Sequence, residues 1–206
     1  MVKRAGKRQG RAKSGGEEDS GPGIVRIIAG EYRRRQLPYL GDRRTRPMKD
    51  RVRENVFNLL QQVVEGTHAL DLFAGTGALG FEALSRGAVE ATFGEHHAAT
   101  AEQIRRNAEF LGCGDRVHVI TGDSFRYFAT FDKTRLPWLV FCSPPYEFYV
   151  SRAEEMRALL EGLYQRAPAG SWFAVECDQR FDPARWTWAE WDVRRYPPAV
   201  VGIAGK

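Results

Sequence analysis

From His68 onward the apolar positions alternate between two spacings. HALDLFA (68–74), EATFGE (90–95), RVHVITGD (116–123), PWLVFCS (137–143) and SWFAVEC (171–177) are short apolar or alternating runs and read as strands. Between them, ALGFEALSR (78–86, stopped by Gly87), ATAEQIRRNAEFLG (99–112) and SRAEEMRALLEGLYQR (151–166) carry helical periodicity. Strands separated by helices of this length predict a mainly parallel sheet covered on both faces. WTWAEWDVRRY (186–196) and PAVVGIA (198–204) read as two further strands, one of them antiparallel to the rest.

The residues ahead of His68 follow a different pattern. In IVRIIAGEYRRRQLPYL (24–40), two β-favouring runs flank Ala29-Gly30, which predicts a short hairpin with arginines on its exposed parts. In TRPMKDRVRENVFNLLQQVV (45–64), Val52, Val56, Leu59, Leu60 and Val63 fall at helical spacing. Thr45 is the expected cap, Pro47 lies in the first turn, and Lys49 and Arg53 lie on the polar face. The opening 1–23 has almost no apolar residues and is read as a disordered basic tail. The expected organisation is therefore a tail (1–23), a basic hairpin and helix (24–64) and an α/β domain (65–206).

Charge sharpens this division. The net charge of the 206-residue chain is +5, yet residues 1–20 carry six Lys/Arg against three acids and residues 26–53 carry ten against three, leaving the remainder at a net −5. A basic front end on an acidic body suits a polyanionic partner, because neutralised phosphates release counterions. No apolar run is long enough to span a bilayer and no secretory segment is evident, so a cytoplasmic location without membrane contact is expected. The three cysteines, Cys113, Cys142 and Cys177, include no C-x-x-C pair, and the adjacent His96 and His97 should point apart, so no metal site is expected.

The candidate chemistry lies at strand ends. Gly75, Gly77 and Gly80 have G-x-G-x-x-G spacing directly after one strand and before a helix, a setting in which backbone can approach a bound nucleotide. Asp71, on that strand, can meet a cationic ammonium group, which S-adenosylmethionine carries. Glu95 ends the second strand and can accept from ribose hydroxyls. Asp123 ends the third, where an acid can bond an adenine amino group. Ser143-Pro144-Pro145-Tyr146 ends the fourth; two prolines stop a central strand and hold the corner rigid, and Tyr146 offers a ring on which a flipped-out base can stack.

Together RIIAG, TRPMKDRVRENVFNLL, DLFAGTGALGFEALSRGA and PPY resemble the RsmD family of small-subunit ribosomal RNA guanine-N2 methyltransferases, over about residues 24–180. The resemblance implies a Rossmann-like class I fold with a mainly parallel seven-stranded sheet and S-adenosyl-L-methionine as cofactor. It implies cofactor contacts from Asp71, Gly75, Gly77, Glu95, Asp123 and Ser124, and a target amine held at Ser143, Pro144 and Tyr146. Arg26, Arg33, Arg34, Arg35, Arg43, Arg44, Arg46 and Arg51 would grip ribosomal RNA or the small ribosomal subunit, with the protein acting as a monomer.

The chain departs from the family pattern in four places. Ser143 stands where the family has Asp, Arg34 replaces a glycine, Met48 replaces Thr, and the C-terminus lacks the usual Tyr-Gly-x-Thr. A neutral hydroxyl stabilises developing positive charge less than a carboxylate, so reduced activity is expected, with Ser143→Asp raising turnover. The alternatives are a non-catalytic cofactor- or RNA-binding relative and an amine methyltransferase acting on DNA adenine or protein glutamine.

Overall fold

The computed structural model describes residues 23–41, 48–132 and 135–206. The tail up to residue 22 and Arg43, Arg44, Thr45, Arg46 and Pro47 lie outside the described residues; Gly23, assigned to the tail from sequence, opens the first strand. β1 (Gly23–Arg26) and β2 (Gln36–Tyr39) form an antiparallel pair, followed by α1 (Asp50–Leu60). Then come β3 (His68–Asp71), α2 (Ala78–Ser85), β4 (Glu90–Glu95), α3 (Ala98–Leu111), β5 (Val117–Thr121) and α4 (Ser124–Phe128). β6 (Trp138–Cys142), α5 (Phe148–Ser151), α6 (Ala153–Arg166), β7 (Trp172–Asp178), β8 (Asp192–Tyr196) and β9 (Ala199–Gly205) complete the chain.

Seven strands make one sheet in the order β5-β4-β3-β6-β7-β9-β8; β5 to β7 run parallel, and β9 is antiparallel to both neighbours. The order reverses between β3 and β6, the switch point outside whose strand ends open α/β sheets bind ligands. Alternation along β6 sorts its side chains into two cores. Leu139 and Phe141 face a core with Phe57, Phe81 and Ile104, while Trp138, Val140 and Cys142 face Phe128, Leu160 and Phe173. Ile27, Leu37, Val52, Val56, Phe57 and Leu60 belong to the first of these, so the hairpin and α1 share the sheet's own core. Among the described residues no helix is long and apolar enough to cross a membrane.

Four sequence expectations are corrected. The hairpin does not turn at Ala29-Gly30: the strands are joined by Ile27–Arg35, which folds against α2 through Glu31 N–H to Ser85 O (2.7 Å) and Tyr32 N–H to Ser85 Oγ (2.9 Å). In α1, which starts at Asp50 with no side-chain cap from Lys49, Leu59 is 41% exposed and Arg53 is fully buried. Position 53 lies three, four and seven residues before Val56, Phe57 and Leu60, so it belongs to the core stripe whatever residue occupies it. The helix expected over 151–166 is α6, which starts two residues later because Arg152 (φ −130°) separates it from the short α5. The strand expected from Trp186 begins only at Asp192; Trp186, Trp188 and Trp191 instead cluster over the second core, with ring centroids 5.1–6.1 Å apart.

Arg34 has φ +69°, the left-handed region where its Cβ is unfavourable. Arg34→Gly is expected to stabilise the fold by about 0.5–1 kcal/mol. A differential scan should show the transition about 1–4 °C higher; an unchanged or lower midpoint counts against strain at this residue.

Candidate active site

A cleft of about 780 Å³ runs along the carboxyl ends of the central strands, within the range of small-molecule sites. It is lined by Asp71, Gly75, Glu95, Asp123, Ser124, Ser143, Pro144 and Tyr146. The sheet register brings these residues together from four separate strand ends.

Asp71, buried at the last position of β3, receives the Gly80 N–H on Oδ2 at 3.1 Å, while its Oδ1 has no hydrogen-bond partner. Burial pushes its carboxyl up to about 7, opposed by the Gly80 bond and reinforced by the nearby Glu95 charge. An unpartnered carboxylate oxygen at a cleft wall fits a cationic ligand group. Glu95 has structural bonds of its own: Oε2 accepts from Gly75 N–H at 2.9 Å and Oε1 from His97 N–H at 2.7 Å. These fix the carboxylate at the cleft wall and leave lone pairs available to hydroxyl donors. Asp123 caps α4, its Oδ1 accepting from Phe125 N–H at 2.8 Å, and Ser124 is buried at the first position of that helix.

The three glycines have different roles. Gly75 lines the cleft, whereas Gly77 does not: it holds the turn into α2 with φ +76°. A Cβ on Gly80 would lie 2.3 Å from the Phe93 ring, so this glycine permits helix and sheet to pack closely.

The other end of the cleft is built by Ser143-Pro144-Pro145-Tyr146 and by a residue the sequence did not single out. Glu176, on β7, accepts hydrogen bonds from Ser143 Oγ on Oε2 and from the Tyr146 hydroxyl on Oε1, the latter at 2.9 Å. Burial raises its carboxyl above the usual range, against the lowering effect of the two hydroxyl bonds. Its signal in the sequence was an acid inside the apolar run SWFAVEC, the same anomaly that marked Asp71 in HALDLFA. Also missed were Phe73, Phe125, Phe148 and Arg152, whose guanidinium lies 3.8 Å from the Phe125 ring centroid, and Met48, Lys49 and Val52, which bring the start of α1 to the rim.

Among the described residues the predicted RNA-binding arginines are not gathered in one place. Arg51 is exposed in the first turn of α1, and Arg26 lies beside it through Asp50 (3.5 Å). Arg33, Arg34 and Arg35 are exposed where the loop meets Ser85 and Phe110, at the ends of α2 and α3 remote from the cleft. Arg43, Arg44 and Arg46 lie outside the described residues. No group of His, Cys, Asp and Glu arranged to hold a metal occurs among the described residues, and all three cysteines are buried and unpaired.

A family model described as "Conserved hypothetical protein 95" matches residues 25–196. The chain belongs to this family. It is 36% identical, over 80% of its length and 86% of the relative's, to "Ribosomal RNA small subunit methyltransferase D" of Haemophilus influenzae. A solved structure described as a putative methyltransferase from Escherichia coli superposes with a TM-score of 0.70 at 32% identity, covering 88% of this chain and 97% of that one. An RNA methyltransferase from Salinibacter ruber, solved with S-adenosyl-L-homocysteine, shares the fold at a TM-score of 0.57 and 20% identity, covering 77% and 92%. The sheet is thus the Rossmann-like class I methyltransferase sheet expected from the sequence.

Proposed function

We propose that this chain is an S-adenosylmethionine-dependent methyltransferase of small-subunit ribosomal RNA, acting on the exocyclic N2 amine of a guanine. The observation that carries this is a single cleft joining the acidic ends of β3 and β4 to the Ser143–Tyr146 corner, in a chain 36% identical to a Haemophilus influenzae protein named as a small-subunit ribosomal RNA methyltransferase. Bound S-adenosylmethionine supplies an electrophilic methyl group. This chain's residues hold the donor and the acceptor in line, which removes much of the entropic barrier of a two-substrate reaction. Asp71 would hold the donor's ammonium group, Glu95 its ribose hydroxyls and Asp123 the adenine amine, with Gly75 and Ser124 at the same wall. Tyr146 stacks on the flipped-out guanine, with Ser143 and the Pro144 carbonyl at its amine.

Arg26 and Arg51 meet phosphates near the cleft, and Arg33, Arg34 and Arg35 meet phosphates farther along the same RNA. The substrate is an assembling small subunit in the cytoplasm, approached by a monomer.

Labelled methyl donor incubated with small subunits from cells lacking the gene should leave N2-methylguanine in the ribosomal RNA. Replacing Arg33 and Arg35 with alanine should weaken RNA binding and lower the salt slope by about 2, without changing donor affinity. No label in subunits or naked RNA, with the donor bound normally, overturns the catalytic assignment and favours a binding protein.

A further inference from the structure

Position 143 carries a hydroxyl where the resemblance implies a carboxylate, but a carboxylate is present beside it. Cys142 of β6 pairs in register with Val175 of β7, so Ser143 and Glu176 emerge side by side from neighbouring parallel strands. Ser143 Oγ–H and the Tyr146 hydroxyl donate to the two Glu176 oxygens, one each. The Tyr149 hydroxyl donates to the Glu176 carbonyl at 3.0 Å and holds that stretch of backbone in place. Two consequences follow. Because the Ser143 hydrogen is committed to Glu176, the Ser143 oxygen turns only lone pairs toward the cleft and can accept a hydrogen from an amine. The negative charge also sits one hydroxyl away from the target, on a buried carboxylate where charge is poorly screened.

We propose that Glu176 replaces the missing aspartate through a relay: it fixes Ser143 as an acceptor for the target amine and takes up the proton that the amine loses. This rests on the proposed methyl transfer and extends it to a residue on a different strand. The amine lone pair forms the new N–C bond as the C–S bond breaks, its electron pair remaining on sulfur. The nitrogen sheds one hydrogen to Ser143 Oγ while the Ser143 hydrogen passes to Glu176 Oε2 and then to water, so the hydroxyl is restored at the end of the step. The raised carboxyl of Glu176 makes it a better proton acceptor than an exposed glutamate. Tyr146, by bonding the other oxygen, holds the carboxylate on Ser143. The gain expected earlier for Ser143→Asp changes accordingly: with Glu176 in contact, that substitution presses two carboxylates together and one must stay protonated.

The test combines charge removal with charge relocation. Glu176→Gln keeps the shape and loses the charge; the maximal rate of methyl transfer to small subunits should fall about 10- to 100-fold, with donor affinity and the KM for RNA within about twofold of wild type. Ser143→Ala should lose a similar factor while leaving the Glu176–Tyr146 bond intact. Ser143→Asp alone should not exceed wild type, but in the Glu176→Gln background it should recover most of the lost rate. A purely structural role for Glu176 predicts no such rescue. Wild-type rates in Glu176→Gln or Ser143→Ala, or a double variant no faster than Glu176→Gln, overturn the relay and leave the methyltransferase assignment standing. A wild-type protein inert on RNA overturns both.

Discussion

Replacing Glu82 with alanine is expected to destabilise the protein by about 3–5 kcal/mol, because it breaks a buried charge cluster from its centre. Glu82 is fully buried on α2. Its carboxylate accepts from Ile28 N–H (2.8 Å), Ala29 N–H (3.1 Å) and Arg86 Nε (2.7 Å), and lies 3.9 Å from Arg53 Nε. Arg53, fully buried on α1, also donates to the Arg26 carbonyl at 2.6 Å and to Asp50 at 3.1 Å. One acid thus ties two segments of the basic front end, the 27–35 loop and α1, to α2, and its removal leaves two backbone donors unpaired and a buried guanidinium short of countercharge. A thermal scan should fall by about 6–20 °C at 2–4 °C per kcal/mol.

Glu82→Gln keeps acceptor capacity and should lose less. If the front end detaches before the sheet unfolds, the Ile28 and Ala29 amides should exchange far faster than those of β3. A midpoint within 2 °C of wild type in Glu82→Ala would show that the cluster does not hold the front end. Detachment also has a functional consequence, because Met48, Lys49 and Val52 form the cleft rim through the same helix.

The difference between what was legible and what was hidden follows from the range of the forces involved. EATFGE coincides with β4, and the glycine pattern and acidic strand ends located the cleft, because strand period and turn chemistry are local properties. Arg53 was misplaced because side-chain type was weighed above helical phase; its partner Glu82 lies twenty-nine positions away on another helix. Glu176 was passed over because its meaning depends on the β6–β7 register, thirty-three residues from Ser143, which no local pattern encodes. The tryptophans of 186–191 carried strand propensity but pack inward from irregular backbone, so tertiary burial overrode propensity there. Gly77 lies outside the cleft lining, and its positive φ and the Phe81 ring beside it tie it to the turn into α2.

Asp71→Asn should exchange binding for stability. With its carboxyl pushed up to about 7 by burial, against an ordinary value near 3.8, the folded protein holds a proton that the unfolded chain releases. Below about pH 4 both states are protonated and the group carries no penalty. Between about pH 4 and 7 stability falls as pH rises, and above 7 the full penalty of a buried anion applies, up to about 4 kcal/mol at 1.36 kcal/mol per pH unit. Asparagine removes that penalty while its amide oxygen can still accept from Gly80, so the variant should be more stable than wild type at pH 8 and similar to it at pH 4. Donor binding should move the opposite way. A cationic ammonium group against Asp71 Oδ1 favours the ionised form, so the loss of charge should weaken S-adenosylmethionine about 10- to 100-fold, the range of charged hydrogen bonds.

Wild-type affinity should rise between pH 5.5 and 7 with a proton released on binding, seen as a buffer-dependent heat in calorimetry. Asp71→Asn should show neither effect. Equal donor affinity in the two proteins, or a wild-type affinity flat across that interval, would place the ammonium group elsewhere and leave the unpartnered oxygen of Asp71 without its ligand.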